Sequence, residues 1–501
     1  MAADLSRFLI KTFLLFVQVV TILALAACSP EGTEDTSVWP AYEAAKRLPL
    51  EICNREGVTE PLLCGELEVY ENRAAGTGRK ISVSVVVIPA QNGNPQARAW
   101  IEHQGGPRYS MIAAAYYYAK GGELEYFRRN RDIVLIDPRG LHEANPLYCD
   151  ALKYPRILER YYPPDRVRAC REELEQDIDL SQYSTLNAID DFEDIREWLG
   201  YGQWDAGGWS FGSRYMLTYL HRYPESIRTM TLSFPAIMNF QRPLDYARFG
   251  QQGFDKLVED CLSDSACAER FPDPKQDMLN VLAALEEQPV VVEILNPYSG
   301  QLEGRTITRD VFAESIWVSL LWNSEAVQVP FILRRAAEGD FTPFVEMNAP
   351  AEPQASEPEG HYFSVVCPEE TAFINMQMAT EASAGTFVGP YLAMDYIEAC
   401  DAWGLPRHPE LPIEERLFDT PALVFSGARD PVTQPEYGDQ ITEHFKNVRH
   451  IVFKNASHGT GGFENEECYG RIIDDFVEAG SVDNLDISCI ADMKPPAFRY
   501  E

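Results

Sequence analysis

Five residues, Gly208-Trp209-Ser210-Phe211-Gly212, constrain this fold more than any other stretch of the chain. A strand-like piece at 204–207 leads into them, and a helix-like run at 213–223 follows. A serine between two glycines on a sharp strand-to-helix turn needs a sheet covered by helices. The turn is strained, and the neighbouring backbones pack where a Cβ would not fit. Such a turn holds a serine hydroxyl at the top of the sheet. An ordinary serine in a glycine-rich turn is the bland alternative. The flanking pattern weighs against it: 185–199 carries Leu186, Ile189, Phe192, Ile195 and Trp198 at helical spacing.

If Ser210 is a nucleophile, an acid and a histidine must follow it in chain order. Asp430 closes an apolar strand pattern at 421–430 that runs into a turn. Of the histidines beyond it, His444 falls within a helical run at 437–445 and His450 opens a strand at 450–453. His458 lies in the loop just past that strand. Catalytic groups gather at the carboxyl ends of such strands, because helices cover the sheet faces. Ser210, Asp430 and His458 are therefore the candidate triad. His103-Gln104-Gly105-Gly106-Pro107 follows an apolar strand at 99–102. Its glycines let backbone N–H groups approach a substrate oxygen. Gly106 and the residue after the serine, Phe211, are the candidate oxyanion donors.

With Asp137-Pro138-Arg139-Gly140, these motifs make the chain resemble the α/β-hydrolase peptidases of the proline iminopeptidase and tripeptidyl aminopeptidase family, over most of residues 60–480. The resemblance implies Ser210 as nucleophile, His458 as base, Asp430 as orienting acid, and Gly106 and Phe211 as oxyanion donors. It implies a bracing role, not a catalytic one, for Asp137 and Arg139. Three positions depart from the family pattern. Arg108 and Tyr109 follow Gly-Gly-Pro where a glycine is usual, which puts a bulky cation by the mouth of the site. Trp209 stands in the turn where glycine is common. The resemblance also implies acidic cap residues that hold a substrate's free amine. Glu369 and Glu370, after Cys367-Pro368, are the candidates, with exposed loop glutamates as the alternative.

Arg7 and Lys11 precede a short apolar run at 12–27, and Leu25-Ala26-Ala27-Cys28 ends it. This is the pattern of a signal peptide. Cys28 after Leu-Ala-Ala resembles a bacterial lipobox, which implies cleavage before Cys28 and a diacylglycerol on its thiol. An ordinary cleaved signal peptide is the alternative. Ser29 after the cysteine favours the outer membrane by the lipoprotein rule. Eleven cysteines minus Cys28 leave an even number in an exported chain. Near neighbours suggest the pairs Cys53–Cys64, Cys149–Cys170, Cys261–Cys267, Cys367–Cys400 and Cys468–Cys489. With no C-x-x-C pair and scattered histidines, neither a metal nor a cofactor is expected. Net charge is −34, from Lys+Arg 43 against Asp+Glu 77, so no nucleic-acid partner is expected.

The expected architecture is an α/β-hydrolase fold with a large, mainly helical cap between the nucleophile half and the Asp-His half. Residues 1–27 are read as the signal peptide and 28–37 as a tether. The core occupies 38–235 and 416–501, and the cap 236–415. Strands are expected at 67–70, 81–89, 99–102, 132–136 and 229–234, and a Pro/Glu/Ala loop at 348–360. The functional expectation is an exported, lipid-anchored serine aminopeptidase acting on short peptides. A carboxylesterase with the same triad and a non-catalytic peptide-binding lipoprotein are the alternatives.

Overall fold

The computed structural model of the protein describes residues 45–94, 98–141, 145–154, 156–350, 352–354, 356–409, 411 and 416–501. Cys28, the signal segment 1–27 and the tether 28–37 lie outside the described residues.

In chain order the strands are β1 Glu51–Cys53, β2 Leu62–Tyr70, β3 Lys80–Ile88, β4 Arg98–His103, β5 Arg131–Ile136, β6 Trp204–Trp209, β7 Ile227–Ser233, β8 Val290–Leu295, β9 Leu302–Ile307, β10 Ala422–Gly427 and β11 Val448–Phe453. A nine-stranded sheet runs β1-β2-β3-β5-β4-β6-β7-β10-β11. The pairs β1–β2, β2–β3 and β3–β5 are antiparallel. The remaining pairs, from β5–β4 to β10–β11, are parallel. Parallel strands are covered on both faces, so they read as apolar runs rather than as alternation. Arg131–Ile136 and Ala422–Gly427 are buried at every position. Helix Thr185–Leu199 buries Ile189, Phe192 and Ile195 of its stripe. Ser184 caps its start by accepting from the Asn187 N–H, and Gly200 ends it in the left-handed conformation.

The α/β-hydrolase order is thus present, and strand ends fall within a few residues of expectation. The exception is β2, which begins five residues before the expected 67. Between β7 and β10 the chain forms a separate helical layer with its own core, which includes Phe249, Leu257, Phe312 and Leu333. One hairpin, β8–β9, interrupts the helices there. All five suggested cysteine pairs are disulfides.

Candidate active site

Ser210 sits between β6 and the helix Phe211–Arg222, at φ 55° and ψ −123°. Non-glycine residues seldom adopt a positive φ, and a residue held there by its surroundings is a mark of a functional turn. The glycines answer to contact. A Cβ on Gly212 would lie 1.8 Å from the His103 carbonyl oxygen, and one on Gly208 2.5 Å from the Ser213 Cα.

His458 Nε2 lies 2.8 Å from Ser210 Oγ, and His458 Nδ1 lies 2.6 Å from Asp430 Oδ2. Asp430 is fully buried. Its Oδ1 accepts from the Val432 and Thr433 N–H groups at 2.8 and 2.9 Å, and its Oδ2 from Thr433 Oγ1 at 2.8 Å. The carboxylate offers only lone pairs here, so the imidazole proton sits on Nδ1. Nε2 is left bare to accept the Ser210 hydroxyl proton. The ring of Trp209 rests on the His458 ring, centroids 4.7 Å apart.

The loop after β4 closes over the serine. A Cβ on Gly105 would stand 2.8 Å from Ser210 Cβ. Gly106 follows at φ +116°. Phe211 is the first residue of its helix, so its N–H has no carbonyl one turn back to bond. Both oxyanion candidates therefore sit on backbone that flanks Ser210. Asp137 braces this region, accepting from Ser110 Oγ at 2.6 Å and the Met111 N–H at 2.8 Å. Arg139 makes a two-pronged pair with Asp191, both contacts 2.7 Å.

The helical layer touches the loops that carry Asp430 and His458. Gly253 packs against the Arg429 carbonyl, where a Cβ would come within 2.5 Å. The Leu321 carbonyl accepts from the His458 N–H at 3.1 Å. Asn323 clasps the histidine loop from both sides. It accepts from the Ser457 N–H at 2.8 Å and donates to the Gly459 and Gly461 carbonyls at 3.0 and 2.9 Å.

The amine-binding candidates Glu369 and Glu370 are both buried at the end of helix Glu359–Glu369, each beside buried arginines. Glu369 accepts from the Thr185 N–H at 2.7 Å, from Thr185 Oγ1 at 2.6 Å and from Arg214 Nη1 at 2.8 Å. Burial alone would raise its pKa, but Arg214, His408 and Thr185 outweigh that and hold it at about 2. Glu370 faces Arg242 Nε at 3.1 Å and Arg214 Nη1 at 3.6 Å. Burial pushes its pKa up against the pull of both arginines. The alternative of exposed loop glutamates fails.

Another carboxyl of the helical layer is partly exposed. Glu314, on helix Arg309–Ser319, keeps partial exposure although protein surrounds it. Burial, with Asp395 and Asp310 nearby and Arg160 opposing them, pushes its pKa up to about 8. In the sequence it is one more polar residue on an amphipathic helix. Arg108, expected at the mouth, pairs with Glu359 at 2.9 Å and also with Glu357. With Tyr109 it lines a cavity of about 340 Å³.

A second Ser–His–Asp line exists. His450 Nε2 lies 2.8 Å from Ser426 Oγ, and its Nδ1 lies 2.9 Å from Asp439. Ser426 is fully buried, and Gly438 presses on it so closely that a Cβ there would meet Ser426 Oγ at 2.8 Å. No substrate atom fits, so this line is a structural pin.

The "alpha/beta hydrolase fold" family matches residues 103–272, and the "TAP-like protein" family matches residues 385–489. YuaR of Escherichia coli (strain K12), described as a hydrolase, is 23% identical over 304 residues, 57% of this chain and 58% of its own. The tripeptidyl aminopeptidase of Streptomyces coelicolor is 22% identical over 480 residues, 87% of this chain and 84% of its own. Serine protease Hip1 of Mycobacterium tuberculosis is 24% identical over 225 residues, 41% of this chain and 42% of its own. The chain thus spans little over half the length of the first relative and less than half of the last. The first family match holds the glycine loop and Ser210, the second holds Asp430 and His458, and the protein has the α/β-hydrolase fold with a TAP-like region near its carboxyl end.

Proposed function

We propose that this protein is an exported serine aminopeptidase that releases short amino-terminal units from peptides through an acyl-enzyme. The unbroken line from Ser210 Oγ through His458 to Asp430 carries the reading. Ser210 Oγ attacks the scissile carbonyl carbon as its proton passes to His458 Nε2. The Gly106 and Phe211 N–H groups receive the oxyanion. His458 then protonates the leaving amine, and water, activated by the same histidine, releases the acyl group.

Glu314 supports the choice of an amine-bearing substrate. A carboxyl kept from water gains most from an ammonium partner. Glu314 shares a helix face with Trp317, and Leu321, which holds the His458 N–H, follows seven residues on. An amine held at Glu314 would suit release of a short amino-terminal unit, in keeping with the tripeptidyl aminopeptidase relative.

N-acetylating a tripeptide-releasing substrate should lower kcat/KM roughly 30- to 1000-fold. Glu314→Gln should cause a like loss on the free peptide and little more on the acetylated one, since both changes delete one interaction. Equal rates on free and acetylated substrates would replace the aminopeptidase with an esterase. A second readout is independent of activity. The folded protein holds the Glu314 proton that the unfolded chain releases near its ordinary value of 4.5. That contribution to stability is full below 4.5 and is lost as pH rises through about 8. Glu314→Gln should flatten the decline in melting temperature over that window.

Export and anchoring rest on the amino-terminal pattern that ends at Cys28. The mature chain should begin at Cys28 with a diacylated thiol. Mass spectrometry of the amino-terminal peptide checks this, and a different start or an unmodified thiol rejects the anchor.

A further inference from the structure

Two buried arginines flank Phe211, and neither was singled out from the sequence. The Arg214 and Arg242 guanidinium carbons lie 5.4 and 5.5 Å from the centroid of its ring. Arg242 also reaches the glycine loop. Its Nη1 donates to the Gly106 carbonyl at 2.6 Å and to Tyr362 Oη at 3.2 Å. One cap side chain thus contacts both residues whose N–H groups face the reacting oxygen in the proposed mechanism.

Gly106 needs such a contact. Its φ of +116° suits glycine, and a Cβ there would meet the Arg108 nitrogen at 2.3 Å. Yet a glycine turns about its own backbone more freely than any other residue. Nothing in its own sterics fixes where its N–H points, so the aim must come from outside. A charged donor on its carbonyl supplies that, because charge-assisted bonds are the stronger ones. The donor is itself immobilised. Thr371 Oγ1 donates to the Arg242 carbonyl at 2.9 Å, and Glu370 Oε2 lies 3.1 Å from Arg242 Nε. A buried guanidinium requires a counter-charge. That gives the Glu369–Glu370 pair its work: each carboxylate pairs with one of the two cations beside Phe211.

We propose that Arg242, held by Glu370, is a positioning residue that aims the Gly106 and Phe211 N–H groups at the oxyanion, so that the cap sets the geometry of the oxyanion hole.

This rests on Ser210 being the nucleophile, and the test separates the two claims. A fluorophosphonate probe places its phosphoryl oxygen in the oxyanion hole as Ser210 Oγ bonds to phosphorus, fluoride leaves and His458 takes the proton. Its labelling rate splits into a maximal rate and a half-saturating concentration. Arg242→Met should lower the maximal rate about 100-fold and move the half-saturating concentration less than about threefold, as a small misplacement of catalytic groups does. Arg242→Lys, which keeps a donor and a cation, should recover about tenfold of that loss. A merely structural role would weaken both parameters together and would not be rescued. If Arg242→Met does not fold by circular dichroism, Arg242→Lys carries the test, with a loss of about tenfold in maximal rate at an unchanged half-saturating concentration. A maximal rate equal to wild type in the folded variants overturns the proposal. A wild-type protein unlabelled at Ser210 overturns the nucleophile reading instead.

Discussion

Ser210→Ala leaves a folded protein that no fluorophosphonate probe labels and whose turnover falls on the order of 10⁶-fold. The size follows from the geometry. The Nε2 lone pair of His458 is aimed at one hydroxyl, 2.8 Å away. An alanine methyl offers neither a proton to remove nor an oxygen to attack. Water must then do the work from no fixed position, aided only by the oxyanion donors. The fold should survive, because the strained turn is held by backbone bonds that alanine keeps. These are the Ser210 N–H to the Ser233 carbonyl at 2.8 Å and the Ala236 N–H to the Ser210 carbonyl at 3.1 Å. Circular dichroism and probe labelling on the same preparation check both halves. Labelling that persists in the folded variant would remove Ser210 from the mechanism. Ser426→Ala is the internal control and should label like wild type, since the pin it belongs to admits no probe.

Asp430→Asn should lower kcat by about 10⁴-fold with little change in melting temperature. Oδ1 receives two backbone N–H bonds, so an asparagine turns its oxygen to that side. Its amide nitrogen then faces His458 Nδ1, where Oδ2 stood. An N–H donor at that place forces Nδ1 to accept and moves the ring proton to Nε2. The histidine would then present a proton to Ser210 instead of taking one. A pH series of kcat/KM checks this, and a loss under tenfold would show that Asp430 does not set the tautomer.

The sequence made the triad and the glycine loop legible because each part is local. The serine turn, the loop after β4 and the histidine loop each announce themselves through glycines and a neighbouring strand. The cysteine pairs were legible for the same reason, since short loops join near neighbours. What stayed hidden depends on contacts far apart in the chain. Arg214 and Glu369 form one pair across 155 residues, and nothing in the segment around either names the other. The alternative of exposed loop positions for Glu369 and Glu370 fails because Cys367-Pro368 does not open a loop. Pro368 lies inside the helix Glu359–Glu369 instead. The hairpin β8–β9 was absorbed into a helical reading of the cap, although Val290, Val291, Val292 and Ile294 are strand formers. The pin of Ser426, His450 and Asp439 shows the reverse risk. Three residues in the right contacts are inert where nothing can enter.

The cap leaves β7 and returns at β10, and these two strands are parallel neighbours in the sheet. Its two roots therefore lie at opposite ends of this strand pair, and the returning chain crosses back along the sheet. In descent or in the laboratory, a module inserted between two strands looks exchangeable without disturbing the sheet. Here the exchange is constrained. A transplanted cap that lacks the residues gripping the glycine, aspartate and histidine loops would bring new walls for substrate and at the same time slacken the machinery beneath them. Substrate range and turnover are thus inherited as one unit in this protein. Variants with altered peptide preference are expected to arise from changes on the cleft side of the cap, with its underside retained.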